Sequence, residues 1–108
     1  MTEFDDREKA FEAKFAMDEQ TKFRVEARAC KLLGLWIAGQ FGISGAAAET
    51  YAKEVVGSNL DEPGFGDVYK KVLADAQTKG ANLTEQDLTQ KMQGFMAEAY
   101  KQITAEAA

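Results

Sequence analysis

Residues Lys22–Phe41, KFRVEARACKLLGLWIAGQF, change character halfway. The first half mixes charged and apolar residues at helical spacing, whereas Leu32 to Ala38 is apolar on every side. In a protein surrounded by water, a helix of that second kind must be covered on several faces. At about 100° per residue from Phe23, the residues Ala27, Cys30, Gly34, Ile37 and Phe41 return to within about 40° of it, while Arg24, Arg28 and Lys31 share another side. The stretch is predicted to be a central helix with one core stripe and one wet stripe. Leu32, Leu35 and Trp36 fall outside that core stripe, so further helices must lie against this one, and Trp36 is predicted to be a core residue.

Upstream, from Glu3 to Arg28, eight acidic and six basic residues are interleaved with Phe4, Phe11, Phe15 and Phe23. Glu3/Arg7, Asp5/Lys9 and Asp18/Lys22 place acid before base at i,i+4, each pair worth about 0.2 to 0.5 kcal/mol to a helix, and Glu8/Glu12 opposes them. Phe4, Phe11 and Phe15 share a narrow stripe interrupted by Glu8 and Asp18, so an isolated helix here is marginal. One unbroken helix from Asp5 to Phe41 would be roughly 55 Å long, and its N-terminal half would have nothing to lie on. Residues 1–18 are therefore expected to be an N-terminal arm, flexible or partly helical, that orders against a partner, with 19–108 forming the folded domain. Folding back as a fifth helix is the competing expectation for this segment.

Downstream, Gly42 to Gly45 reads as a turn, with Gly42 a helix stop and Ser44 an N-cap. A short helix over 46–56 is predicted to bury Ala48, Tyr51, Ala52 and Val55. Pro63 suits a first helical turn, and Phe65, Val68, Tyr69, Val72, Leu73 and Ala76 repeat at helical spacing up to Gly80. Thr84 and Asp87 have the spacing of a capping box, flanked by Leu83 and Leu88 as a hydrophobic staple. The face Leu88, Met92, Phe95, Met96, Ala99 and Ile103 follows. No strand pattern occurs, and the short connections suit neighbouring helices, so the expected fold is all-α, a four-helix bundle carrying an N-terminal arm.

The totals narrow the function. The 108 residues suit one domain with a modest core. A net charge of -5 opposes nucleic acid as a partner, because phosphate binding needs a basic field. No basic and apolar leader opens the chain, and Leu32 to Ala38 falls far short of the roughly 20 apolar residues a bilayer requires, so a cytoplasmic protein without membrane insertion is expected. Cys30 is the single cysteine and histidine is absent, which removes disulfides, nearly every zinc site and nucleophile–base pairs. Cys30 itself is expected to be a buried thiol.

Other apparent sites yield to plainer explanations. Asp61 and Gly66 stand at calcium-loop positions one and six, but Pro63, Phe65 and Val72 occupy positions where oxygen ligands are required. Gly64 and Gly66 begin a GxG that Tyr69 breaks and no strand precedes, so helix entry explains them. Met92, Phe95 and Met96 could form an adaptable groove, yet a bundle core needs the same spacing. No pair of carboxylates is placed in an apolar pocket, so neither enzymatic activity, catalytic residues, a metal nor a cofactor is expected. Arg24, Arg28 and Lys31 are most simply a solvated face, with an acidic partner surface as the functional alternative.

Four stretches carry a family resemblance: FDDREKAFEAKFA from Phe4, KLLGLWIAG from Lys31, YAKEVV from Tyr51 and DEPGFGDVYKKV from Asp61. Together they resemble the alphaproteobacterial zeta subunit of the F-type ATP synthase, over nearly the whole chain. The resemblance implies a four-helix bundle whose N-terminal segment inhibits ATP hydrolysis by the catalytic head, entering an interface between alpha and beta subunits and reaching gamma. It implies a protein that is monomeric when free and held at the inner membrane only peripherally, through the synthase. Carried onto this chain, the inhibitory contacts fall on Phe4, Asp5, Asp6, Arg7, Phe11, Lys14 and Phe15, with Arg24, Arg28 and Lys31 as secondary candidates. The aromatic residues would fill apolar hollows while the charges pair with polar rims. The mitochondrial inhibitor protein responds to pH through histidine, and this chain has none. A helical adaptor, or a bundle binding a small ligand without inhibitory activity, is the alternative function.

Overall fold

A computed structural model describes residues 19–59 and 64–107, and within them the chain forms four helices and no strand. They are α1, Glu19–Gln40; α2, Ala46–Gly57; α3, Gly66–Lys79; and α4, Glu85–Ala107. The expected arm, residues 1–18, and Pro63 lie outside the described residues.

Each boundary has a local cause. Past the end of α1, Gly42 takes φ 76°, which lets its N–H reach Gly39 O at 3.1 Å and the Ile43 N–H reach Ala38 O at 2.8 Å. Orphan carbonyls of the last turn are satisfied in this way, and only glycine adopts that backbone freely. Gly80 repeats the arrangement after α3, with Ala81 N–H donating to Ala76 O at 2.8 Å. The capping box of α4 is formed in full: the Thr84 N–H donates to Asp87 Oδ2 at 3.0 Å, and the Asp87 N–H donates to Thr84 Oγ1 at 3.1 Å. The start of α2 differs from expectation, because Gly45 and not Ser44 occupies the N-cap, and no side chain caps it.

The central-helix expectation holds: α1 runs close along both α2 and α4, whereas α3 approaches α2 and α4 more briefly. The buried set on α1 is Val25, Ala29, Cys30, Leu33, Gly34, Ile37 and Ala38. That stripe is turned by roughly 50° from the one centred on Phe23. Phe23 is 62% exposed, so its assignment to the core is wrong. Trp36 is half-buried, packed on the edge of the core instead of inside it, with the Lys91 ammonium 5.0 Å from its ring centroid. The physical reason is that the aliphatic residues between the two aromatics, Val25, Ala29 and Leu33, sit where α2 and α4 meet α1.

The other faces follow the pattern closely. Ala48, Tyr51, Ala52 and Val55 are buried on α2, and Val68, Val72 and Ala76 on α3. On α4, Leu88, Met92, Ala99 and Ile103 are buried while Phe95 and Met96 pack on the core's rim. Cys30 is free and buried, and burial, helped by the charge of Glu26, pushes its thiol up to about 12. No polar or charged residue is buried among the described residues.

Candidate partner interface

The wet side of α1 is where the fold leaves work undone. Phe23 is the large hydrophobic residue most exposed to water among the described residues, lying about 200° round the helix from the core residue Val25. Ala27, a turn further on, continues its line, and Val56 from α2 and Ile103 from α4 close the sides. Arg24, Arg28 and Lys31 stand along the same groove, which encloses about 340 Å³. The three cations expected to share a stripe are therefore brought together beside an apolar floor.

Arg28 is the organised member. Its Nη1 donates to Gln102 Oε1 at 2.7 Å and to Glu106 Oε2 at 2.7 Å, and its Nη2 donates to Glu106 Oε1 at 3.1 Å. Two parallel bonds of this kind form the fork that guanidinium and carboxylate geometry favours. The Arg28 hydrogen bond, followed by the charges of Arg28, Arg24 and Lys31, holds the Glu106 carboxyl below the usual carboxylate range. Three positive charges thus converge on one carboxylate. Arg24 and Lys31 form no ion pair among the described residues.

Two other surfaces carry polar side chains beside aromatic rings. Around Tyr51, the hydroxyl donates to Asp75 Oδ2 at 2.8 Å, and Lys71 Nζ lies 3.1 Å from that same oxygen and 3.5 Å from Glu54 Oε1. The Phe41 ring meets Tyr51 edge to face at 5.6 Å. Burial first, then the Asp75 hydrogen bond and the charges of Asp75 and Glu54, raise the Tyr51 phenol above its ordinary range, so it stays a donor. This network ties α2 to α3 and is complete within itself. The second surface is a shallow depression where Lys91 lies over Trp36, bordered by Gln40, Asn82 and Asp87. Among the described residues there is no group of three His, Cys, Asp or Glu side chains able to hold a metal ion. Nor is any helix among them long and apolar enough to cross a membrane.

Sequence reasoning singled out Arg24, Arg28 and Lys31, and the structure gathers them. It missed Phe23 as a surface residue, and it missed Gln102 and Glu106 altogether. An aromatic next to a basic residue at the wet edge of a helix was the available signal for Phe23. Phe4, Asp5, Asp6, Arg7, Phe11, Lys14 and Phe15 lie outside the described residues.

Comparison with known proteins adds what geometry alone does not supply. The sequence model of a family described as ATPase inhibitor subunit zeta matches residues 1–102. A protein solved by solution NMR is 42% identical, the alignment covering 79% of this chain and 96% of that one, with a TM-score of 0.69. A comparison with curated proteins gives no match.

Proposed function

Because the chain belongs to the family of ATPase inhibitor zeta subunits, we propose that it inhibits ATP hydrolysis by the catalytic head of the F-type ATP synthase, using residues 1–18 as the working segment. The family match carries this reading, since it begins at Met1 and so includes the arm together with the bundle. The arm enters between a catalytic alpha and beta subunit and reaches gamma, where Phe4, Phe11 and Phe15 fill apolar hollows and Asp5, Asp6, Arg7 and Lys14 pair with polar groups at the rim. The bundle, residues 19–108, anchors the arm from outside, with Arg24, Arg28 and Lys31 available to an acidic surface of the head. The protein is a regulator and performs no chemistry itself. It acts in the cytoplasm as a monomer, held near the inner membrane only through the synthase.

The arm's chemistry supports this division. It carries three phenylalanines in eighteen residues, but its charged residues leave too narrow an apolar stripe for a stable helix of its own. Burial against a partner supplies what is missing. The test is steady-state ATP hydrolysis by the catalytic head against increasing concentrations of intact protein and of a chain lacking residues 1–18. The intact protein inhibits and the truncated one does not, although both melt at nearly the same temperature. Equal inhibition by the two would transfer the activity to the bundle.

A further inference from the structure

Glu106 occupies an odd position for a carboxylate. It lies in the last turn of α4, where the helix dipole is negative and a cation is favoured, and that turn contains no basic residue. Its place is explained by α1 instead: the Arg28 fork holds both of its oxygens, and Gln102 of α4 takes a further bond from the same guanidinium. The pair is open to water, with side chains 27% and 46% exposed, so the contact can be exchanged for another. Beside it, Phe23 lies uncovered over an apolar floor.

We propose that this groove is a docking surface for an acidic amphipathic helix of a partner protein, and that Glu106 occupies the carboxylate position on Arg28 until such a helix displaces it. The groove's own content argues for the occupant. Arg28 on its lining already holds a carboxylate, and Arg24 and Lys31 add two further cations. The three clustered cations attract an acidic partner to this groove, which fixes where it lands. The helix's apolar face covers Phe23 and Ala27 while a Glu or Asp on its edge takes the fork. The C-terminal turn of α4 is thus an internal competitor, lowering apparent affinity by the fraction of molecules in which the fork is free. The proposal rests on the inhibitor reading only for which protein supplies the helix, namely the catalytic head.

The test uses the full chain and a synthetic helical peptide of leucine and glutamate at heptad spacing, titrated while the Phe23 and Ile103 side-chain NMR signals are followed. Glu106→Gln removes the competitor and is expected to bind about fivefold more tightly, as for a fork closed about four-fifths of the time. Glu49→Gln, which removes the same charge from an exposed position on α2, controls for net charge and stays within about twofold of the parent. Arg28→Gln and Phe23→Ser each weaken binding at least about fivefold. Glu106→Gln binding no better than Glu49→Gln overturns the competitor, and unchanged binding by Arg28→Gln and Phe23→Ser overturns the docking surface. The same variants are then titrated against the catalytic head. Absence of inhibition by the intact chain, with the peptide order preserved, removes the inhibitor reading and leaves the groove standing.

Discussion

Gly34 and Ala52 mark the point where α1 and α2 come closest: a Cβ placed on Gly34 would stand 2.7 Å from the Ala52 Cα and 3.2 Å from the Val55 Cβ. Because the nearest atom is backbone, no side-chain rotation relieves the clash, and the two helices must separate to admit even a methyl group. The glycine lies mid-helix, where it costs about 1 kcal/mol relative to alanine, so close approach is the return on a local weakness.

Gly34→Ala and Gly94→Ala are accordingly expected to act in opposite directions. Gly94 lies inside α4 with nothing within 4 Å of an added Cβ, so alanine there raises stability by about 0.5 to 1 kcal/mol. At Gly34 the overpacking cost of about 1 to 3 kcal/mol exceeds the propensity gain and stability falls. Urea unfolding of the two variants checks the sign, and a stabilised Gly34→Ala would show that the helices separate without penalty.

Tyr51→Phe keeps the edge contact with Phe41 and loses the hydrogen bond to Asp75, which is expected to cost about 1 kcal/mol. Its pH dependence gives a second readout. The folded phenol is held above its ordinary value, so the native state keeps a proton that the unfolded chain releases near pH 10. Stability conferred by this group is complete below about pH 10 and is lost as pH rises beyond it. Melting temperatures measured from pH 8 to 11 should fall more steeply for the parent than for Tyr51→Phe.

Cys30 should resist thiol reagents in the native protein at pH 8, because burial and Glu26 push its thiol up to about 12 and the reactive form is the thiolate. Reaction with a chromogenic disulfide, slow in buffer and rapid in guanidinium, would then report opening of the core. Rapid labelling in buffer would show that α1 exposes this face without unfolding.

Within the arm, Phe11→Ala or Phe15→Ala should weaken inhibition of the catalytic head by about thirtyfold, equivalent to 2 kcal/mol, and Lys9→Ala by less than about fivefold. The comparison is the concentration giving half-maximal inhibition of ATP hydrolysis for each variant. A larger effect from Lys9 would make the interface electrostatic and the aromatic stripe incidental.

Helix number, helix stops and most core faces were legible because they depend on neighbours within one or two turns. Gly80 and the Thr84/Asp87 box are local chemistry, and Tyr51, Val72 and Leu88 recur at spacings a helix imposes. The direction in which α1 faces was not legible in the same way. The stripe centred on Phe23 kept Cys30, Gly34 and Ile37 but missed Val25, Ala29, Leu33 and Ala38, which are buried because α2 and α4 both lie along α1. The fork between Arg28 and Glu106 joins residues 78 positions apart, and no periodicity connects them. The groove was therefore half visible: its cations came from one helix, whereas the carboxylate on Arg28 and part of the floor depend on how α4 returns past α1.

The unequal embrace of the four helices bears on how the domain comes apart. With α1 lying along both α2 and α4, those three share their fate, while α3 is joined through shorter approaches and the Tyr51, Asp75 and Lys71 bridge. Opening of the molecule is then graded, and α3 is the flap that lifts first. Its amide protons should exchange with solvent deuterium ahead of those in the middle of α1. That leaves a residual three-helix remnant of α1, α2 and α4, so the domain can loosen on one side while the groove beside Arg28, which those three helices line, stays intact.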